Sequence, residues 1–375
     1  MRLLSLHVRD FRNVAAADLA PSPRATVLVG PNGQGKTNLL EAIFFLATLK
    51  PLRAGRLAEL VRFGTARARV AGDFEGPGGR RRVAVEVADG GRTASLDGKP
   101  QETLDAYFEG LGAVCFSPDD LLLVKGGPEL RRRLLDRAAF NRWPAVLGEA
   151  REYLRALRAR NAALRNAAPE VEESFRVPLV RAGARLAARR QAIVAELAPR
   201  VAAAFREICG PGAPEARLAY RPAAGMPTAA PEEELASRLA EVLALRADRD
   251  RDRGYTSAGP QMDDLTLALD GRGARAYGSQ GQQRALVLAL KVGEIENLRE
   301  RLGRPPLLLL DDVSSELDPE KNAFLLEYLA RLPGQAFLTT TDRRLLAAAA
   351  GPDAVFYDVR DGTVSRTDSP AIPAA

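Results

Sequence analysis

Short continuous apolar runs mark both ends of the chain, while the middle keeps the spacing of helices. Ala25-Thr26-Val27-Leu28-Val29 and Leu307-Leu308-Leu309-Leu310 are unbroken runs of strand length, the pattern of parallel strands covered on both faces. Leu39–Leu46 reads as a helix directly after the first run. Arg67–Phe74, Arg82–Val87 and Arg92–Leu96 alternate apolar and polar positions. They are separated by Gly76-Pro77-Gly78-Gly79 and Asp89-Gly90-Gly91, so an antiparallel meander is expected. A helix near Leu104–Glu109 and a strand near Ala113–Phe116 follow. From Glu129 to Asn166 and from Phe175 to Ile208 the pattern is helical and rich in Ala, Leu and Arg. No heptad persists, which argues against a long coiled coil. Pro211–Pro231 reads as loop with a short strand at Arg217–Tyr220, before a helix at Glu232–Leu245. The alternating charges of Asp248–Arg253 predict an exposed connection. From Leu265 onward the order is strand, a helix led by Gly281, the Leu307–Leu310 strand, a helix at Pro319–Leu332, a strand at Ala336–Thr339, a helix and a strand pair. That order predicts an α/β return to the first domain.

Composition narrows the class. The chain has 375 residues, 46% hydrophobic and 27% charged, as expected of a globular protein with room for two domains. No apolar run is long enough to span a bilayer, and the N-terminal residues read as a strand rather than a signal peptide. Cys115 and Cys209 are the only cysteines, which suits a reducing cytoplasm and offers no metal cluster. His7 is the only histidine, so His-based catalysis is not expected. Net charge is +6, and residues 121–210 carry 18 Lys and Arg against 9 Asp and Glu. A basic middle segment suits a polyanion surface, because phosphate neutralisation dominates nucleic-acid affinity.

The chemistry begins at Gly30-Pro31-Asn32-Gly33-Gln34-Gly35-Lys36-Thr37, a GxxxxGK[ST] loop placed between a strand and a helix. There the loop N–H groups turn toward phosphates, Lys36 neutralises the β/γ oxygens, and the Thr37 hydroxyl ligates Mg²⁺. The strand Leu307–Leu310 ends in Asp311-Asp312. Asp311 is the expected Mg²⁺ carboxylate opposite Thr37, and Asp312 the expected general base; with Lys36 it forms the catalytic pair. Ser279-Gln280-Gly281-Gln282 opens a helix and supplies a hydroxyl, free N–H groups and a positive dipole end. Two phosphate-binding helix starts in one chain suggest that two subunits share each nucleotide.

This ordered set resembles the ABC-type ATPases of the SMC class, and among them the bacterial RecF family. The resemblance also rests on Val8–Asn13, Phe116–Leu121, Thr256–Asp264 and Leu310–Asp318, and it spans Met1 to about Val364. It implies an ABC-type P-loop ATPase head with a mixed sheet and an antiparallel β subdomain, plus an inserted, mainly helical arm. The expected division is 1–120 and 264–375 for the head and 121–263 for the arm. It further implies Ser315 and Asp318 as a D-loop, and ATP with Mg²⁺ as cofactors. The implied partners are an ATP-dependent homodimer, DNA (single-stranded, double-stranded and junctions), RecR, RecO and RecA, with no membrane partner. The implied role is slow ATP hydrolysis gating a DNA clamp in repair, on the nucleoid in the cytoplasm. RecF sequences commonly read Gly-Pro-His-Arg-Asp-Asp where this chain has Gly259-Pro260-Gln261-Met262-Asp263-Asp264. Thr339–Thr341 stand where other ABC proteins carry a switch histidine, and Phe116–Asp120 hold the place of the Q-loop.

Two other classes fit the P-loop but not the remainder. A transporter cassette carries its signature much nearer the P-loop than Ser279 lies from Thr37. A small-molecule kinase explains neither the signature helix nor the basic insert. For DNA contacts the sequence offers the cluster Arg131-Arg132-Arg133 and the row Arg181, Arg185, Arg189, spaced to share one helix face. Such arginines contact phosphates, so little base specificity is expected.

Overall fold

The computed structural model describes residues 2–53, 55–76, 79–101, 104–166, 169–312, 319–343 and 350–367. The chain forms two compact units, one of residues 1–120 and 298–375, the other of residues 121–297.

The first unit contains two six-stranded sheets. One is wholly antiparallel, with Val14–Leu19, Arg2–Phe11, Arg67–Gly76, Gly79–Ala88, Gly91–Leu96 and Lys99–Pro100 side by side in that order. Its inner face buries Leu3, Leu6, Val8, Val70, Phe74, Val83 and Val85, following the period of two in their strands. The other sheet is mixed. Thr363–Thr367 runs antiparallel to Val355–Arg360; Val355–Arg360, Ala25–Val29, Ala336–Thr340, Leu307–Leu310 and Ala113–Phe116 then follow in parallel. Every residue of Ala25–Val29 and of Leu307–Leu310 is buried, as their unbroken apolar runs require. The helix Lys36–Thr48 is apolar on nearly all sides and buries Leu39 through Thr48. Phe11, Phe45 and Phe74 are fully enclosed, each worth roughly 1.5–3 kcal/mol of burial. Gln335 joins the two sheets: its side chain accepts from Leu3 N–H at 2.8 Å and donates to the carbonyls of Leu3 and Ser22.

The second unit is mainly helical. It holds the helices Pro128–Arg142, Val146–Arg165, the long Pro169–Cys209 and Glu232–Leu245, with Pro128–Arg142 and Pro169–Cys209 packed on a three-stranded antiparallel sheet of Arg272–Gly273, Asp264–Leu269 and Ala216–Arg221. Three expectations change here. Asp264–Leu269 was expected to return to the head, but it pairs along its whole length with Ala216–Arg221. The unit boundary therefore falls at 297/298 instead of 263/264, within the helix Gln280–Leu302. Hydrophobic alternation showed a strand there, but not its neighbour. Finally, Ala247–Arg253 is a helix; Asp248, Arg249 and Arg251–Arg253 are exposed as expected, but Asp250 is fully buried against Arg160.

Candidate nucleotide-binding site

The P-loop is braced from two directions. Gly35 sits at φ +113, and a Cβ there would lie 2.8 Å from Asn13 Oδ1, so only glycine permits this approach. Gly30 lies against the last strand pair; a Cβ there would meet Val359 O at 2.3 Å. Gly362 N–H donates to Gln34 O at 2.9 Å, and Asp361 N–H donates to Gln34 Oε1 at 2.7 Å. Asn38 Nδ2 donates to Asn13 Oδ1 at 2.8 Å. A turn from each end of the unit thus holds Gln34 and Gly35. Among the remaining loop positions, Gly33 adopts φ +80, and Pro31 and Asn32 lie between the two braced ends.

Lys36 Nζ donates to Gly30 O at 2.6 Å and Pro31 O at 2.8 Å, curling over its own loop. Burial lowers its pKa, while the charges of Asp312 and Asp311 oppose that shift. Thr37 Oγ1 donates to Asp311 Oδ1 at 2.7 Å, joining residues 274 positions apart. Thr339 Oγ1 also donates to Asp311 Oδ1, at 3.0 Å, and accepts from Asp312 N–H at 2.8 Å. Burial raises the Asp311 pKa; the hydrogen bonds from Thr37 and Thr339 and the charge of Arg53 pull the other way. Asp312 takes φ 47, a left-handed position at the strand end. The structure thus gathers Lys36, Thr37, Asp311 and Asp312 at the carboxyl ends of the central parallel strands, where α/β sheets bind ligands.

Paired hard oxygens from Thr37 and Asp311 suit Mg²⁺, which takes one or two protein ligands and leaves the rest to phosphate and water. No cluster of three or more His, Cys, Asp or Glu suited to a metal occurs among the described residues. Bound there, the cation would neutralise phosphate charge.

Sequence reasoning missed several supporting residues. Glu41 is fully buried, accepts from Arg12 Nε at 2.9 Å and Nη2 at 3.2 Å, and also accepts from the N–H groups of Leu52 and Arg53. This pair fixes the segment carrying Arg53, whose charge acts on Asp311. A lone Glu within an apolar helix was the available signal.

The signature belongs to the second unit. Ser279 Oγ accepts from Gln282 N–H at 3.2 Å, and Ser279 N–H donates to Gln282 Oε1 at 2.9 Å, a reciprocal capping box that opens the helix Gln280–Leu302. Ser279 and Gln280 are exposed, and Gly281 is half-buried. Buried Gln283 donates to the carbonyls of Ala274, Arg275 and Gly278, fixing the turn before the signature. Ser315 and Asp318 lie outside the described residues.

The arm arginines divide. Arg131 is buried, bidentate to Asp264 at 2.7 and 3.1 Å, and donates to the carbonyls of Leu123 and Gly126. Arg132 donates to Asp263 O at 2.8 Å. Arg189 is bidentate to Glu149 and lies 5.3 Å from the Trp143 ring centroid. Buried Arg131 is committed to the fold, while Arg132 and Arg189 are half-buried and bonded within the arm. Arg133 forms an exposed pair with Glu129, Arg181 is exposed, and Arg185 has only longer contacts to Glu152 at 3.8 Å and Glu232 at 3.6 Å. Of these three, Arg133 and Arg181 are exposed and Arg185 is half-buried.

The family model described as the RecF/RecN/SMC N terminal domain matches residues 2–364. A protein of Anaeromyxobacter sp. (strain Fw109-5), named DNA replication and repair protein RecF, is 76% identical over 365 residues, covering 97% of this chain and 99% of the relative. The Myxococcus xanthus (strain DK1622) protein of the same name is 55% identical over the full length of both. The chain belongs to the RecF family. A solved structure of the recombination mediator protein RecF with ATP, from the RecFOR pathway, superposes with TM-score 0.87 at 27% identity over 98% of each chain. An Smc head domain superposes at TM-score 0.55 and 17% identity, a likeness of fold alone; the RecF fold here is thus that of an ABC-type head with a helical arm. Where RecF sequences commonly carry His-Arg, Gln261 accepts from Tyr153 and donates to the carbonyls of Thr256 and Ala258 at 3.0 Å. The RecF block Thr256–Asp264 is therefore a structural hub of the arm. No described helix is long and apolar enough to cross a membrane.

Proposed function

We propose that the protein binds ATP with Mg²⁺ and uses it to gate dimerisation and DNA binding in replication-fork recovery and recombinational repair. The observation that carries this reading is the Thr37–Asp311 hydrogen bond, with Lys36 beside it and Asp312 next in the chain. Lys36 exchanges its loop carbonyls for phosphate oxygens, a switch its short internal bonds make local. Thr37 and Asp311 would hold Mg²⁺, which would supply charge neutralisation at the phosphates. Asp312 orients and deprotonates water, positioned through its backbone N–H by Thr339.

Ser279, Gln280, Gly281 and Gln282 of one subunit close on the γ-phosphate held by the other, with Ser315 and Asp318 as the D-loop across the same interface. The ligand favours the dimer because only the dimer offers it every contact, and hydrolysis removes that advantage. Arg133, Arg181 and Arg185 remain as the candidate phosphate contacts of the arm. Single- and double-stranded DNA and their junctions are the substrate, with RecO, RecR and RecA as partners and the bacterial nucleoid as the site of action. Support comes from the family, whose members are named for DNA replication and repair. Hydrolysis is weak and DNA-dependent, serving as a timer.

Gel filtration and DNA binding with ATP, ADP and no nucleotide test this reading. Dimers and salt-sensitive DNA retention should appear with ATP alone. Ser279→Arg should abolish the dimer while leaving ATP binding intact. A monomer that retains DNA equally in all three conditions sinks the proposal.

A further inference from the structure

Phe63 is fully exposed at 101%, and it is the only exposed large apolar side chain among the described residues of its unit. It occupies a corner of the turn Arg62-Phe63-Gly64-Thr65. Thr65 N–H donates to Arg62 O at 3.1 Å, the Thr65 hydroxyl donates to the same carbonyl at 2.9 Å, and Gly64 supplies φ +84. Those are the features of a type II turn, with Phe63 at its first corner. The base of the turn is fastened to the first strand. Arg62 N–H donates to Asp10 O and Arg12 N–H to Leu60 O, both at 2.8 Å, and Val61 bridges to Phe11. The ring thus stands on a braced post rather than on a loose loop.

Its neighbours in the chain are cationic. Arg62 and Arg67 are 44% and 72% exposed, and their carboxylate contacts, Asp10 and Glu86, are each 3.9 Å away. Arg69 is exposed, with Arg9 opposite it on one neighbouring strand and Glu86 opposite it on the other. Asp18 clamps Arg9 at 2.8 and 2.9 Å, and no carboxylate lies within salt-bridge distance of Arg69 among the described residues.

We infer that this corner grips an unpaired base beside a DNA duplex. Phe63 stacks on the base while Arg62, Arg67 and Arg69 meet the flanking phosphates. The inference rests on the DNA-binding reading above and deepens it. A protein partner fits less well, because a protein interface needs a contiguous apolar core and Phe63 has no exposed large apolar companion among the described residues of its unit. A ring with cations around it is instead the pairing used on single strands, where stacking tolerates any base. Bases inside a duplex are already stacked, so an unpaired one is required.

The test uses the full-length protein with ATP, on gapped DNA carrying 2-aminopurine at the first unpaired position and on a blunt duplex. The wild type should change 2-aminopurine fluorescence. Phe63→Ala should lose that change and bind gapped DNA about tenfold more weakly, a stacking-sized loss. ATP binding and blunt-duplex affinity should stay level, and Phe63→Trp should restore the signal. The inference is overturned if Phe63→Ala keeps both readouts, if gapped and blunt DNA weaken equally, or if only association with a protein is lost. A wild-type protein that holds neither DNA with ATP overturns the DNA-binding reading itself, and this corner with it.

Discussion

In the unit that carries the P-loop, Lys36 curls over two carbonyls of its own loop, whereas in the arm Arg160 lies fully buried among Glu172, Asp250 and Thr256. The first cation is held by bonds that a phosphate can replace at once. The second is fully buried and held by two carboxylates 2.8 Å away. Arg190 repeats the arm pattern, bonding Asp136 at 2.7 Å and the carbonyl of Pro260, with Asp263 behind it. Burial pushes the Asp263 carboxyl up despite the Arg190 charge, and Tyr220 bonds it as well. Positive charge in the arm is thus partly internal mortar, while at the P-loop Lys36 is held by carbonyls of its own loop. A local surplus of arginine measures both uses together and cannot separate them.

Substitutions can break this contrast. Lys36→Met should abolish ATP-dependent dimerisation and DNA retention while leaving the melting temperature nearly unchanged. Dimers persisting in ATP on gel filtration would show that Lys36 is not the exchangeable cation. Arg160→Ala should do the opposite, destabilising the protein by about 3–5 kcal/mol, because it removes the charged partner of fully buried Asp250 and leaves Glu172 with Arg251 at 3.4 Å. Denaturant titration of the full chain reads that loss directly; a change below about 1 kcal/mol would place the pair among the dispensable ones.

Asp312→Asn should retain ATP binding, slow hydrolysis about a hundredfold, the scale of losing a general base, and accumulate closed dimers. Normal turnover in a phosphate-release assay would assign the base elsewhere. The smallest effect sharpens the arm itself. Arg181→Ala should reduce the slope of log affinity against log salt by about one while stability holds. Arg131→Ala should lower stability and leave the slope alone. If Arg131→Ala changes the slope instead, the Arg131–Asp264 pair opens on DNA.

Much of the nucleotide site was legible because its parts are contiguous. A P-loop needs its glycines, Lys36 and Thr37 in one short stretch between a strand and a helix, and Ala25–Val29 and Lys36–Thr48 supply those flanks. The strand Leu307–Leu310 was equally plain, since four apolar residues before two aspartates leave few alternatives. The braces from Asn13, Asp361 and Gly362 were not visible, because they reach Gln34 and Gly35 from opposite ends of the chain. Arg131 and Arg181 look alike in a helical arginine pattern, yet one meets Asp264 and the other meets solvent.

By itself the amino-acid order determined the elements, the phosphate loop and the strand-end carboxylates, because backbone propensity and local spacing act over a few residues. Tertiary structure alone decided that Asp264–Leu269 joins the arm, that Asp250 is buried, and that Arg131 is spent on Asp264. The physical reason is that strand partners and buried ion pairs are chosen by elements far apart in the chain, whose mutual desolvation no local pattern records.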